Sequence, residues 1–285
     1  MSLIVEQSGL RSLVQDGGRP HLGHLGVSPS GAFDRTALRQ VNTLLGNYPE
    51  TAVVEVLGGG LALRAEEATV CAVTGAVGPI TVDGVPVAYG RAVLLQSGQI
   101  LALGPPTTGL RTYVGVCGGF AVARELGSSS TDTLAGLGPR ALKAGDRLDI
   151  GQRQPLPELQ DVPPLGRVGD LTLGVIIGPR DDWFTADAIR LLLESRWEVG
   201  SASDRIGARL SGPVLERTRS EELPSEPCIR GSIQVSADGQ PIVFGPDHPV
   251  TGGYPVIATV VDADTDLLAQ AAPGQSVRFR RRPSP

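Results

Sequence analysis

Ile80-Thr81-Val82-Asp83-Gly84-Val85-Pro86-Val87 sets two short apolar runs on either side of an Asp-Gly pair. Asp-Gly tolerates the two positive φ angles of a tight turn whose twist matches that of paired strands, so this stretch reads as a β-hairpin. The same device returns at Asp238-Gly239, ahead of Pro241-Ile242-Val243-Phe244. Around these two hairpins the chain is built of similar short runs punctuated by 38 glycines and 23 prolines, with aromatics at only 4%. That composition predicts a mostly β fold with a few helices, arranged as barrels or sandwiches. With 285 residues, 41% of them apolar, the chain can bury a sizeable core in one large domain or two ordinary ones.

Two segments break the β pattern. From Ala32 to Leu45 the residues Ala37, Leu38, Val41, Leu44 and Leu45 recur at helical spacing, with Ser30 available as the N-cap and Gly46-Asn47 as the stop. A second helix is expected from about Thr185 to Ser195, burying Ile189, Leu192 and Leu193. The stretch from Gly151 through Pro163-Pro164 is polar, proline-rich and without periodicity. It divides the chain into an N-terminal β-rich domain over 1–150, a linker over 151–164 and a C-terminal barrel-like domain over 165–285. Each half closes on a glycine turn followed by an alternating strand, Ala144-Gly145-Asp146-Arg147-Leu148-Asp149-Ile150 and Pro273-Gly274-Gln275-Ser276-Val277-Arg278-Phe279. Ser97-Gly98-Gln99-Ile100-Leu101-Ala102-Leu103 is a third copy, so the echo fits either a duplication or a common way of ending a meander.

The formal net charge of −5 and the lack of a basic stripe argue against a nucleic-acid partner. Arg280-Arg281-Arg282, close to the chain end, reads as a solvated tail. Cys71, Cys117 and Cys228 are odd in number and widely spaced, which suggests neither a disulfide framework nor a metal knuckle. No run approaches the length of a membrane helix and the start lacks a basic, apolar leader, so a soluble cytoplasmic protein is expected. Lys143 is the single lysine. Its setting, Leu142-Lys143-Ala144-Gly145-Asp146, fits neither a P-loop, nor a Ser-Ser-Lys amidase, nor a biotin-carrying lysine.

Chemistry-bearing residues gather in a few glycine-hinged blocks. Gln15-Asp16-Gly17-Gly18-Arg19 and Gly26-Val27-Ser28-Pro29-Ser30-Gly31-Ala32-Phe33-Asp34 offer Asp16, Arg19, Ser30 and Asp34 as substrate-positioning groups, with a surface turn and a helix start as the structural alternative. Ser203, Asp204, Arg205 and Arg209 repeat that chemistry, either for an anionic ligand or as an internal ion pair. Ser128, Ser130 and Thr131, in Gly127-Ser128-Ser129-Ser130-Thr131-Asp132, form a possible phosphate or carboxylate nest. In Pro246-Asp247-His248-Pro249-Val250-Thr251-Gly252-Gly253-Tyr254, Asp247 or His248 offers a general base, with Thr251 and Tyr254 to orient a carbonyl. His21 and His24 lie three apart, but Gly23 between them disfavours the helix that would point both at one metal, and no metal site is expected.

Taken in order, Val14-Gln15-Asp16-Gly17-Gly18-Arg19, Ser30-Gly31-Ala32-Phe33-Asp34, Gly127-Ser128-Ser129-Ser130-Thr131, Ser203-Asp204-Arg205-Ile206-Gly207-Ala208-Arg209-Leu210, Gly231-Ser232-Ile233-Gln234-Val235 and Thr251-Gly252-Gly253-Tyr254-Pro255 resemble the family called allophanate hydrolase subunit 2, KipA or the 5-oxoprolinase C subunit. The resemblance spans nearly the whole chain and extends to part of the carboxyltransferase region of urea carboxylase. It implies a mostly β fold of two β-barrel-like domains, cyclophilin-like. It also implies a subunit of an ATP-dependent 5-oxoprolinase, inactive alone, that works with a KipI-like and a LamB/YcsF-like subunit on a small amide. ATP then belongs to the complex. On this reading Asp16, Arg19, Ser30, Asp34, Ser203, Asp204, Arg205, Arg209 and Gln234 line a substrate site, Ser128, Ser130 and Thr131 hold phosphate, and Asp247, Thr251 and Tyr254 face the reacting end. Two other functions compete with it: carboxyl transfer to urea or a related amide, and a non-catalytic role as regulatory partner of a KipI-like kinase inhibitor.

Overall fold

The computed structural model describes residues 1–152, 169–219, 221 and 223–283. Most of the linker expected over 151–164 lies outside the described residues. The chain forms two compact units, and neither is continuous in sequence. The first takes residues 1–19, 34–132 and, among the described residues, 136–152; the second takes 20–33, 133–135 and 169–283.

The first unit contains strands β1 (Ser2–Ser8), β2 (Arg11–Gln15), β3 (Val53–Leu57), β4 (Leu61–Ala65), β5 (Thr69–Val77), β6 (Ile80–Val82), β7 (Val85–Pro86), β8 (Val93–Leu95), β9 (Ile100–Leu103), β10 (Thr108–Val116) and β11 (Arg147–Asp149). They make two sheets, in the orders β11-β1-β4-β9-β6-β7 and β2-β3-β10-β5-β8. The Asp83-Gly84 hairpin joins β6 to β7, with both turn residues at positive φ, 49° and 78°. Leu3 and Val5, Leu61 and Leu63, and Leu101 and Leu103 from the first sheet share one core with Val14, Val54, Val56, Val73, Val114 and Val116 from the second. Strand periodicity then sends the intervening residues of the second sheet, Glu55 on β3 and Tyr113 on β10, to its other face.

Helix α1 (Arg35–Leu45) covers that other face, lying against β5 and β10. It is one turn shorter than the apolar spacing predicts, because Asp34, not Ser30, is its N-cap: the Asp34 carboxylate accepts a hydrogen bond from the Ala37 amide at 2.8 Å. Gly46, in the left-handed region at φ 66°, ends it as expected. A side chain at Gly115 on β10 would place its Cβ 2.8 Å from Leu45 and 3.1 Å from Val41, so the absence of one there lets the helix seat on the sheet.

In the second unit β12 (Leu171–Ile177), β13 (Trp197–Val199), β14 (Gly207–Ser211), β16 (Ser232–Val235), β17 (Pro241–Phe244), β19 (Val256–Val260) and β20 (Ser276–Arg281) close into a barrel in the order β12-β19-β16-β17-β14-β13-β20. The closing pair is parallel, with Leu171, Leu173 and Val175 of β12 opposite Val277, Phe279 and Arg281 of β20. The short strands β15 (Glu226–Pro227) and β18 (Thr251–Gly252) pair as a separate ribbon. Helix α2 (Ala186–Glu194) is capped by the Thr185 hydroxyl and buries Ala188 and Leu192, while Ile189 and Leu193 are half-buried. A four-residue helix, α3 (Thr265–Leu268), precedes the last strand. The mostly β architecture expected from the turn signals is the one found; among the described residues the second unit closes a barrel, while the first packs two sheets over one core where a second barrel was expected.

Replacing Gly115 by Val should destabilise the first unit by about 1–3 kcal/mol, because two methyl groups must enter a contact already closed to a Cβ. Urea unfolding monitored by circular dichroism measures it, and an unchanged midpoint would contradict the close approach of α1.

Candidate functional site

Asp247 is a heavily engaged side chain of the second unit. Beyond the β14–β17 pair, the ladder continues through Gly245 N to Ile206 O at 2.9 Å and Asp247 N to Arg205 O at 3.1 Å. That register sets Arg205 beside Asp247, and their side chains form a two-pronged ion pair: Arg205 Nε and Nη2 each donate to one Asp247 oxygen at 2.9 Å. Both side chains are essentially inaccessible, at 2% and 0% exposure. The Ser30 hydroxyl donates to Asp247 Oδ1 at 2.8 Å, and the Thr133 amide and hydroxyl donate to Oδ2 at 2.9 and 2.8 Å. Arg205 Nη2 also donates to the Gly31 carbonyl at 2.6 Å. Burial by itself would raise the Asp247 pKa, but the Arg205 charge and the Arg205 and Thr133 hydrogen bonds outweigh it and hold the carboxyl below its usual value.

This geometry corrects the role read for Asp247. A general base needs a free lone pair and an affinity for protons near the working pH. Asp247 accepts five hydrogen bonds and is held ionised by a guanidinium, so it works as a clamp. Of the other two residues read with it, Thr251 is exposed on β18, and Tyr254 is 46% exposed with the Arg217 guanidinium 5.6 Å from its ring. Neither is a partner of the Asp247 carboxylate. Gln234 joins Tyr254 instead, donating to its backbone carbonyl at 2.9 Å. His248 is buried, stacks on Phe244 at 6.0 Å and turns Nδ1 toward the Pro249 carbonyl at 2.8 Å.

The block Ser203 to Arg209 divides. Arg205 points inward, whereas Asp204 is exposed and accepts from the Ile206 and Gly207 amides at 2.8 and 3.1 Å, as in an Asx turn. Ser203 accepts from the Arg209 amide at 3.0 Å, and the Arg209 side chain is exposed. Asp204, Ser203 and Arg209 therefore shape a hairpin turn, while Arg205 belongs to the clamp.

In the first unit Asp16, following the end of β2, holds the Ser128–Thr131 loop. Asp16 Oδ1 accepts from the Ser128 and Ser130 hydroxyls, both at 2.6 Å, and from the Gly18 amide at 2.8 Å; Oδ2 accepts from the Ser129 amide at 2.7 Å. The Thr131 hydroxyl donates to the Pro139 carbonyl at 2.7 Å. The nest read for phosphate is thus already filled by an internal anion, and a second anion directed at Ser128 and Ser130 would meet the Asp16 charge. Arg19, only 2% exposed, reaches the same loop: Nη2 donates to the Ser130 carbonyl at 2.5 Å and Nε to the Glu125 carbonyl at 3.4 Å.

A third cluster was not read from the sequence. Tyr113 on β10 donates to Glu55 on β3 at 2.8 Å, and its oxygen accepts from the Asp34 amide at 2.7 Å. Arg111 Nε lies 3.7 Å from Glu55, and all of these side chains are buried. Burial, then the charges of Glu55 and Asp34, push the Tyr113 phenol well above its ordinary value, so it stays neutral and keeps donating its proton to the carboxylate. The available signal was the acid in the centre of Val53-Val54-Glu55-Val56-Leu57, an apolar run that gives no other reason for a charge.

Among the described residues no group of three His, Cys, Asp or Glu is arranged to hold a metal, and no helix is long and apolar enough to cross a membrane. The three cysteines are free and buried, and burial pushes the Cys71 thiol up to about 12.

The family described as carboxyltransferase domain, subdomain A and B, matches residues 25–281. The chain belongs to this carboxyltransferase family. Among proteins similar to it, the 5-oxoprolinase C subunit of Escherichia coli is 37% identical over 281 residues, covering 97% of this chain and 90% of that protein. Urea amidolyase of Saccharomyces cerevisiae is 31% identical over 296 residues, covering 95% of this chain but 16% of that protein. In the crystal structure of the Kluyveromyces lactis urea amidolyase, 98% of this chain superposes with a TM-score of 0.92 at 29% identity, on 18% of the larger chain.

In this carboxyltransferase-family chain, Asp247→Ala should cost about 3–5 kcal/mol, since it leaves the Arg205 charge buried and unpaired. The pH dependence has a definite sign. Because the folded pKa is depressed, the Asp247 contribution is complete above the unfolded value of about 3.9 and is lost as pH falls from there through the folded pKa. Urea unfolding of wild type and variant should therefore converge in acid, and a constant difference down to the lowest accessible pH would count against the clamp.

Proposed function

We propose that this chain is a subunit of an ATP-dependent 5-oxoprolinase, which opens the lactam of 5-oxoproline to L-glutamate together with a KipI-like and a LamB/YcsF-like subunit. The observation that carries this reading is the match to the 5-oxoprolinase C subunit of E. coli, which takes in 97% of this chain and 90% of the relative. Against the urea amidolyase of S. cerevisiae the same chain matches only 16% of the protein. A match that takes in nine-tenths of a discrete subunit favours that subunit's role over that of a small part of a much larger protein.

The chemistry is hydrolysis of an unstrained amide. The ring C–N bond breaks, water supplies the oxygen of the new carboxylate, and the nitrogen leaves as the amine of glutamate while ATP is hydrolysed in the coupled step. The single lysine, Lys143, is exposed, so this chain offers no buried lysine for a Ser-Ser-Lys amidase. Asp247 and Asp16 are both committed to internal hydrogen bonds. The chain's own part is therefore binding and positioning, with the activation of the carbonyl completed in the assembled complex, where ATP is held. A reaction that draws on ATP and releases glutamate belongs in the cytoplasm. Carboxyl transfer to an amide nitrogen is the second reading, favoured by the family match over residues 25–281.

Glutamate release from 5-oxoproline with ATP should be measured for this chain alone, with each partner and with all three proteins. Turnover is expected in the full mixture alone. Stable association without turnover, joined by carboxyl transfer when a carboxylated biotin carrier and urea are supplied, would move the assignment to the second reading.

A further inference from the structure

We draw no further inference here: the strongest candidate, the cleft of about 450 Å³ in the first unit that runs along β11 over Val14, Leu142 and Leu148, has its rim charges already paired, Arg140 with Asp146 and Arg147 with Glu66 and Asp149, and nothing in the structure shows what covers it.

Discussion

One buried carboxylate gathers the second unit. That unit is assembled from three stretches of chain, and Asp247 takes a hydrogen bond from each: Ser30 from residues 20–33, Thr133 from 133–135 and Arg205 from the barrel segment. Removing an ion from water is costly, so it persists only where enough donors converge. That requirement runs both ways. The carboxylate needs all three stretches, and each stretch is fixed in place by donating to it. Two short excursions out of the first unit's sequence thus become defined parts of a second body without adding a strand to its barrel.

Asp16 repeats this device in the first unit with neutral donors. Three hydrogen bonds come from consecutive serines, at 2.6, 2.7 and 2.6 Å, and a fourth comes from the Gly18 amide. A carboxylate enclosed by hydroxyls and amides resembles, from the donors' side, a bound phosphate. The same serines that would cradle a ligand anion can cradle an internal one. The difference is decided by a residue more than a hundred positions away.

This is why the sequence discloses the fold better than the site. Turn chemistry is local: Asp83-Gly84 dictates its hairpin and Gly46 its helix end. The helix start at Asp34 is a near miss of the same local kind, since Ser30 and Asp34 are both good caps and only the path of the chain decides which one is used. Site roles are not local. Asp247, Ser203 and Ser130 are residue types suited to catalysis, turns and anion binding alike. Their roles depend on partners the sequence does not place: Arg205 through a strand register, Arg209 through a hairpin and Asp16 through a long loop. Glu55 and Tyr113 were missed for a related reason. Each sits in an otherwise ordinary strand, and their meeting depends on the pairing of β3 with β10.

The two buried arginines show two ways of holding a guanidinium inside a fold. In Arg205 the fork is closed by a carboxylate in matched geometry, and any incoming anion would have to compete with a partner held at 2.9 Å on two sides. In Arg19 the same fork is anchored by carbonyls, which orient a guanidinium without cancelling its charge. The two arginine-bearing blocks are thus built differently despite their similar composition: the later one closes a buried ion pair within the barrel unit, and the earlier one rests its guanidinium on two carbonyls of the Glu125–Ser130 loop.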